Sequence, residues 1–131
     1  MGEMVKIITY GTFDTFHYGH LEILRKSKEL GDFLIVAVST DGFNTLKGKL
    51  CKFPYEKRKQ WVESIRYVDL VIPEESWEQK NSDVEQYDID ILTMGDDWQG
   101  RFDHLPCQVI YFPRTVDVSS TLIKNALTKK E

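Results

Sequence analysis

The sequence predicts an α/β fold, a doubly wound parallel sheet of about five strands. Three observations carry that expectation. Short apolar runs alternate with amphipathic stretches along almost the whole chain. One run, Phe33–Thr40, is apolar nearly throughout, the pattern of a strand covered on both faces. Polar residues suited to ligand binding collect just after the strands, where open α/β sheets bind their ligands.

Length and composition set the bounds. At 131 residues the chain reads as a single domain, 1–131, large enough for a proper core. With 41% hydrophobic and 29% charged residues it has the make-up of a soluble globular protein. A net charge of -4 gives no general attraction for nucleic acid, so no nucleic-acid partner is expected. No apolar run approaches a membrane span, and the chain enters a strand almost at once, with no signal peptide. Cys51 and Cys107 form no Cys-x-x-Cys pair. A reduced cytoplasmic protein is the simplest account, and a distant disulfide stays open.

The first strand is Val5–Tyr10, stopped by Gly11. A helical pattern runs from His20 to Leu30, with Leu21 and Leu24 on one side and Gly31 as the stop. Between them stand Thr12, Phe13 and Asp14, then His17-Tyr18-Gly19-His20. Two histidines thus sit at a strand-to-helix turn. The first amides of a helix have no partner within it and attract anions. Imidazoles there can add donors to a phosphate, and Gly19 leaves room for close approach to the backbone. A surface turn or a metal pair are the other readings, though the third histidine, His104, is distant in sequence.

Phe33–Thr40 follows as the second strand and completes a βαβ unit, expected to be right-handed. Asp41–Pro54 reads as an irregular loop holding Lys47, Lys49 and Lys52 around Gly48. The lysines are either solvated or placed for a phosphate at the carboxyl edge of the sheet. Tyr55–Tyr67 reads as a helix, apolar at Trp61, Val62 and Ile65 and charged at Lys57, Arg58, Lys59 and Glu63. Arg66 suits that helix's C-terminal dipole, or pairs with Asp69. Val68–Pro73 is a short strand closed by proline.

Glu74–Tyr87 reads as an amphipathic helix with Trp77 and Val84 on one face. Its polar side carries Glu78, Lys80, Asp83 and Glu85, and Lys80 is most simply solvated. Asp88–Met94 is the next strand, followed by Gly95-Asp96-Asp97-Trp98. An acid there could hold a ribose hydroxyl or a metal, or cap a turn. Cys107–Phe112 is the last strand, ended by Pro113-Arg114-Thr115. Ser119-Ser120-Thr121 opens a final helix. Those hydroxyls are ordinary caps, or hold a triphosphate with Arg114 and the free amides.

Gly11-Thr12-Phe13-Asp14, His17-Tyr18-Gly19-His20, and Arg114-Thr115 with Ser119-Ser120-Thr121 resemble the cytidylyltransferase branch of the nucleotidylyltransferase superfamily. Ser39-Thr40-Asp41, Lys47 with Lys49, and Ile65-Arg66-Tyr67-Val68-Asp69 extend the match. Val71-Ile72-Pro73-Glu74, Trp77-Glu78-Gln79-Lys80 and Met94-Gly95-Asp96-Asp97-Trp98 are similar to its glycerol-phosphate-using members. The resemblance spans nearly the whole chain. It implies a Rossmann-like sheet of the nucleotidylyltransferase type. It implies an enzyme that converts CTP and sn-glycerol 3-phosphate into CDP-glycerol and pyrophosphate, for teichoic acid or capsular polymer synthesis. Mg2+ with CTP and a homodimer come with it.

The resemblance also implies roles. Thr12 and Phe13 line the CTP phosphate and ribose region, with Gly19 beside them. His17 and His20 bind the phosphates and stabilise the transferring group. Lys49 contacts CTP, while Lys47 and Lys80 hold the acceptor. Arg66 and Asp97 position the nucleotide. Arg114, Thr115, Ser119, Ser120 and Thr121 wrap cytidine and the pyrophosphate end. His17, His20, Lys47 and Arg114 form the catalytic set, and the metal's protein ligands are unassigned.

The last motif departs from the family's Arg-Thr-Glu-Gly-Ile-Ser-Thr-Thr: here Val116 and Asp117 replace the Glu-Gly pair. That departure keeps two rivals in play. One is the same chemistry on another polyol phosphate or phosphoethanolamine. The other is a nucleotide-binding module without catalysis.

Overall fold

In a computed structural model, residues 4–113 are described. Five strands, β1 Lys6–Gly11, β2 Phe33–Ser39, β3 Leu70–Glu74, β4 Ile91–Gly95 and β5 Gln108–Phe112, form one sheet in the order β3-β2-β1-β4-β5. Every neighbouring pair is parallel. The chain reverses direction across the sheet at β1, so the doubly wound expectation is met, and the switch point lies at the carboxyl ends of β1 and β4.

The central strands are buried because their side chains feed two cores in alternation. Ile7, Leu34, Val36 and Val38 pack with α1 (Tyr18–Glu29) and α3 (Tyr55–Glu63) through Leu21, Leu24 and Val62. Ile8, Ile35 and Ala37 face the other way, toward Val84 of α4 (Gln79–Gln86), Phe102 and Leu105. Each fully buried aliphatic chain contributes about 2 kcal/mol by leaving water. The buried hydroxyls of the sheet are paired: Thr9 Oγ1 donates to Thr93 O at 2.8 Å, and Ser27 Oγ lies 2.7 Å from Thr93 Oγ1.

The local differences from expectation have physical causes. The segment from Asp41 does not start as a loop: α2 runs Asp41–Leu46, because Thr40 Oγ1 accepts from Phe43 N at 3.1 Å and caps it. α1 starts at Tyr18, with His17 as its cap, rather than at His20. α3 stops at Glu63, so Arg66 lies beyond it. β3 runs one residue past Pro73 to Glu74 rather than closing at the proline; it is an edge strand, where a missing N–H is tolerated. α4 begins only at Gln79, leaving Trp77 outside the helix. The expected final helix lies outside the described residues.

Candidate functional site

The site starts with the turn between β1 and α1. Phe13 and Thr15 take φ values of 54° and 52°, a left-handed conformation unfavourable for both side chains. Asp14 between them holds the strained turn. Its two carboxylate oxygens accept from the N–H groups of Lys52 and Phe53 at 2.8 and 3.1 Å. Arg58, fully buried, closes the same joint. Its guanidinium donates to Thr12 O, Ser39 O and Phe53 O at 3.0, 2.7 and 3.0 Å, and pairs with Asp41 at 2.7 Å. Three loops at the carboxyl edge are thereby fixed to one cation.

The turn delivers the two histidines to the start of α1. Nδ1 of His17 accepts from Gly19 N at 3.0 Å, and Nδ1 of His20 accepts from His17 N at 3.1 Å. This is a capping box built from two imidazoles. The rings stack with centroids 3.9 Å apart. Because each Nδ1 is an acceptor, a neutral ring carries its proton on Nε2 and offers it as a donor. Burial, and after it the neighbouring His17, pulls the His20 pKa down to about 3, so His20 is neutral at ordinary pH. Phe13 and Phe16 pack against the His20 ring at 5.2 and 5.3 Å.

Two clefts meet at His20, Ile23 and Gly95. The first, about 480 Å³, is lined by His17, Gly19, His20, Asp96, Asp97 and the end of β5 at Phe112 and Pro113. The second, about 340 Å³, takes in Thr12, Phe13, Asp14, Lys49 and Cys51. Both open at the switch point of the sheet.

The lysines expected to hold a phosphate come together through a carboxylate that sequence reasoning did not single out. Glu74, 3% exposed, ends β3 and lies in register with Ser39. Its Oε2 accepts from Lys80 Nζ at 2.9 Å, and its Oε1 accepts from Ser39 Oγ at 3.0 Å. Ser39 Oγ in turn accepts from Lys47 Nζ at 3.2 Å. Both ammonium groups lie over the Trp77 ring, at 5.7 and 5.5 Å. Lys80 is therefore not solvated: it is 3% exposed and also sits over Tyr10 and Phe102. Asp83, read as part of the same polar face, is buried too and accepts from Tyr10 OH at 2.7 Å. A third cleft, about 320 Å³, opens beside Trp77, Lys80 and His104.

The structure brings Thr12, Phe13, His17, Gly19, His20, Lys49 and Asp97 to the paired clefts, and Lys47 and Lys80 to their flank. Arg66 is not brought there. It is exposed past the end of α3, beside the amino ends of β2 and β3, where Asp69 N donates to Leu34 O. A helix packed on a parallel sheet runs back from the carboxyl edge, so a residue beyond its C-terminus lies at the opposite edge. Arg114, Thr115, Ser119, Ser120 and Thr121 lie outside the described residues. Among the described residues no three His, Cys, Asp or Glu side chains converge as a metal cage. Asp96 and Asp97 line the first cleft, a donor set that suits a divalent cation held largely by phosphate oxygens and water.

A family model described as cytidylyltransferase-like matches residues 8–126. The chain is 55% identical to the glycerol-3-phosphate cytidylyltransferase of Staphylococcus aureus over 130 residues, 98% of each chain. It is 53% identical to the enzyme of the same name from Bacillus subtilis, over 95% of this chain and 98% of that one. Among solved structures, a lipopolysaccharide core biosynthesis protein from Thermoplasma volcanium shares the fold with a TM-score of 0.74 at 24% identity, covering 87% of this chain and all of the other.

Proposed function

The chain belongs to the cytidylyltransferase-like family, and on that footing we propose that it transfers the cytidylyl group of CTP to sn-glycerol 3-phosphate. The products are CDP-glycerol and pyrophosphate, and the CDP-glycerol feeds teichoic acid or capsular polymer synthesis. What carries this reading is the 55% identity over 98% of both chains to a curated glycerol-3-phosphate cytidylyltransferase. The site geometry supports it, because donors for a triphosphate and a separate lysine pair lie on one edge of the sheet.

A phosphate oxygen of the acceptor attacks the α-phosphorus of CTP. One P–O bond forms, the bond to the bridging oxygen breaks, and the electron pair leaves with pyrophosphate. No protein nucleophile and no proton transfer are needed. The barrier lies in bringing two anions together and in stabilising charge on the transferring group. His17 and His20 meet that charge with Nε2–H donors set at the positive end of α1. A neutral His20 is a fixed donor whose charge does not change with pH near neutrality. Lys49 reaches the CTP phosphates from the second cleft, with Thr12 and Phe13 beside the nucleotide. Lys47 and Lys80 hold the acceptor phosphate. Asp96 and Asp97 would meet the water shell of a Mg2+ ion bound with CTP, which would supply partial neutralisation of the triphosphate charge. Arg114, Thr115, Ser119, Ser120 and Thr121 are the residues assigned to cytidine and pyrophosphate by resemblance. The enzyme works as a homodimer in the cytoplasm.

Pyrophosphate release from CTP and Mg2+ tests the reading, with sn-glycerol 3-phosphate, ribitol 5-phosphate and phosphoethanolamine as acceptors. Release with glycerol 3-phosphate alone is expected. Release only with another acceptor would replace the substrate, and none with any acceptor would overturn the enzymatic reading.

A further inference from the structure

The sheet, rather than a loop, places a carboxylate between the two acceptor lysines. Glu74 and Ser39 are register partners at the ends of β3 and β2, and Thr40 N donates to Glu74 O at 3.0 Å to extend that pairing. Lys80 comes from α4 and Lys47 from the C-cap of α2. Three elements therefore meet at one buried carboxylate, with both of its oxygens engaged. We propose that Glu74 is the positioning residue of the acceptor site: it fixes Lys80 directly and Lys47 through Ser39, so that the acceptor phosphate meets two ammonium groups already in place. The proposal rests on the reading that those lysines hold that phosphate.

A carboxylate beside a phosphate site reduces its attraction for the anion. Its presence here needs a compensating gain, and the geometry supplies one. The Lys80 side chain is 4% exposed, and besides Glu74 the faces of Tyr10, Trp77 and Phe102 surround its head. Ring faces attract a cation less strongly than a carboxylate does. Lysine chains also have many rotamers, and holding two of them before binding removes an entropy cost from each turnover. Burial favours loss of the Lys47 proton, and Glu74 is the main group opposing that; Lys49 and Lys80 push the same way as burial, and Cys51 opposes it weakly. The other buried carboxylate of α4, Asp83, is engaged elsewhere: its Oδ2 accepts from Tyr10 OH at 2.7 Å and Gln79 Nε2 at 3.0 Å.

The test is steady-state kinetics on Glu74→Gln, Ser39→Ala, Lys47→Ala and Lys80→Ala with CTP, Mg2+ and sn-glycerol 3-phosphate. Glu74→Gln is expected to raise KM for the acceptor about tenfold or more, with KM for CTP changed less than about twofold. The alkaline limb of its kcat/KM for the acceptor should move to lower pH, because Glu74 is the main group opposing loss of the Lys47 proton. Ser39→Ala cuts only the Lys47 arm and keeps the buried ion pair, so it decides the matter if Glu74→Gln does not fold. A smaller rise in acceptor KM, again with CTP unaffected, is expected of it. Acceptor KM within twofold of wild type in Ser39→Ala, or in a folded Glu74→Gln, would overturn the proposal. If Lys47→Ala and Lys80→Ala raise KM for CTP and not for the acceptor, the lysine reading itself fails and the proposal with it.

Discussion

His17 and His20 cap each other: the N–H of His17 donates to Nδ1 of His20 at 3.1 Å, while Nδ1 of His17 accepts from Gly19 N. The same two rings thus serve helix and chemistry with different nitrogens. Asparagine at position 17 can still accept from the helix but has no Nε2–H. His17→Asn should therefore unfold within about 0.5 kcal/mol of wild type. Its kcat should fall about 10²–10³-fold, the effect of losing one transition-state donor. Normal turnover in a folded variant would remove His17 from the chemistry.

The low pKa of His20 makes stability depend on pH in a definite direction. Above 6.5, its ordinary value, neither state binds the proton and folding is unaffected. Below it the unfolded chain takes up a proton that the folded protein refuses, down to about 3. Stability should fall with pH across that window, by up to about 1.4 kcal/mol per unit. His20→Gln removes the group. Urea unfolding between pH 7 and 4 should show the variant's slope shallower than wild type by one proton, and parallel curves would reject the assignment.

Arg58 should be the most costly surface-pattern residue to remove. Arg58→Met leaves the carbonyls of Thr12, Ser39 and Phe53 without their donor. A loss of about 3–5 kcal/mol is expected in urea unfolding. A loss below about 1 kcal/mol would mean that water replaces the guanidinium.

Two glycines should respond with opposite signs. A Cβ at Gly31 would meet Ile7 Cδ1 and lie 2.7 Å from the Val5 carbonyl oxygen. Gly31→Ala should cost about 1–3 kcal/mol, since backbone cannot give way as a side chain does. Gly42 lies in α2 with nothing within 4 Å of its would-be Cβ. Gly42→Ala should stabilise by about 0.5–1 kcal/mol. Thermal unfolding of the pair checks both.

The sheet was readable because both cores draw on the same few strands, which leaves their sequences apolar in continuous runs such as Leu34–Val38. The histidine turn was readable because its partners are close in sequence. The burial of Arg58, Lys80 and Asp83 was not. Each is a charged residue on a short helix, and such residues are usually solvated. What buries them here is a carbonyl of Thr12, the carboxylate of Glu74 and the hydroxyl of Tyr10, all supplied by other elements. α2 was missed because Asp41–Pro54 reads as an irregular loop, and the Thr40 cap starts a helix at its head. Arg66 was placed by resemblance alone, without regard to where α3 would end.

The strand order has a consequence for synthesis. β1 pairs with β2, the next strand in the chain, and β2 with β3, but the partner of β1's other edge, Ile91–Thr93, comes much later in sequence. As the chain leaves the ribosome, the central strand is therefore half-built while most of the protein is still being made. Ile7, Ile8 and Thr9 then present an open, largely apolar edge to any extended segment nearby. Strand exchange between nascent chains is the failure that such an order invites.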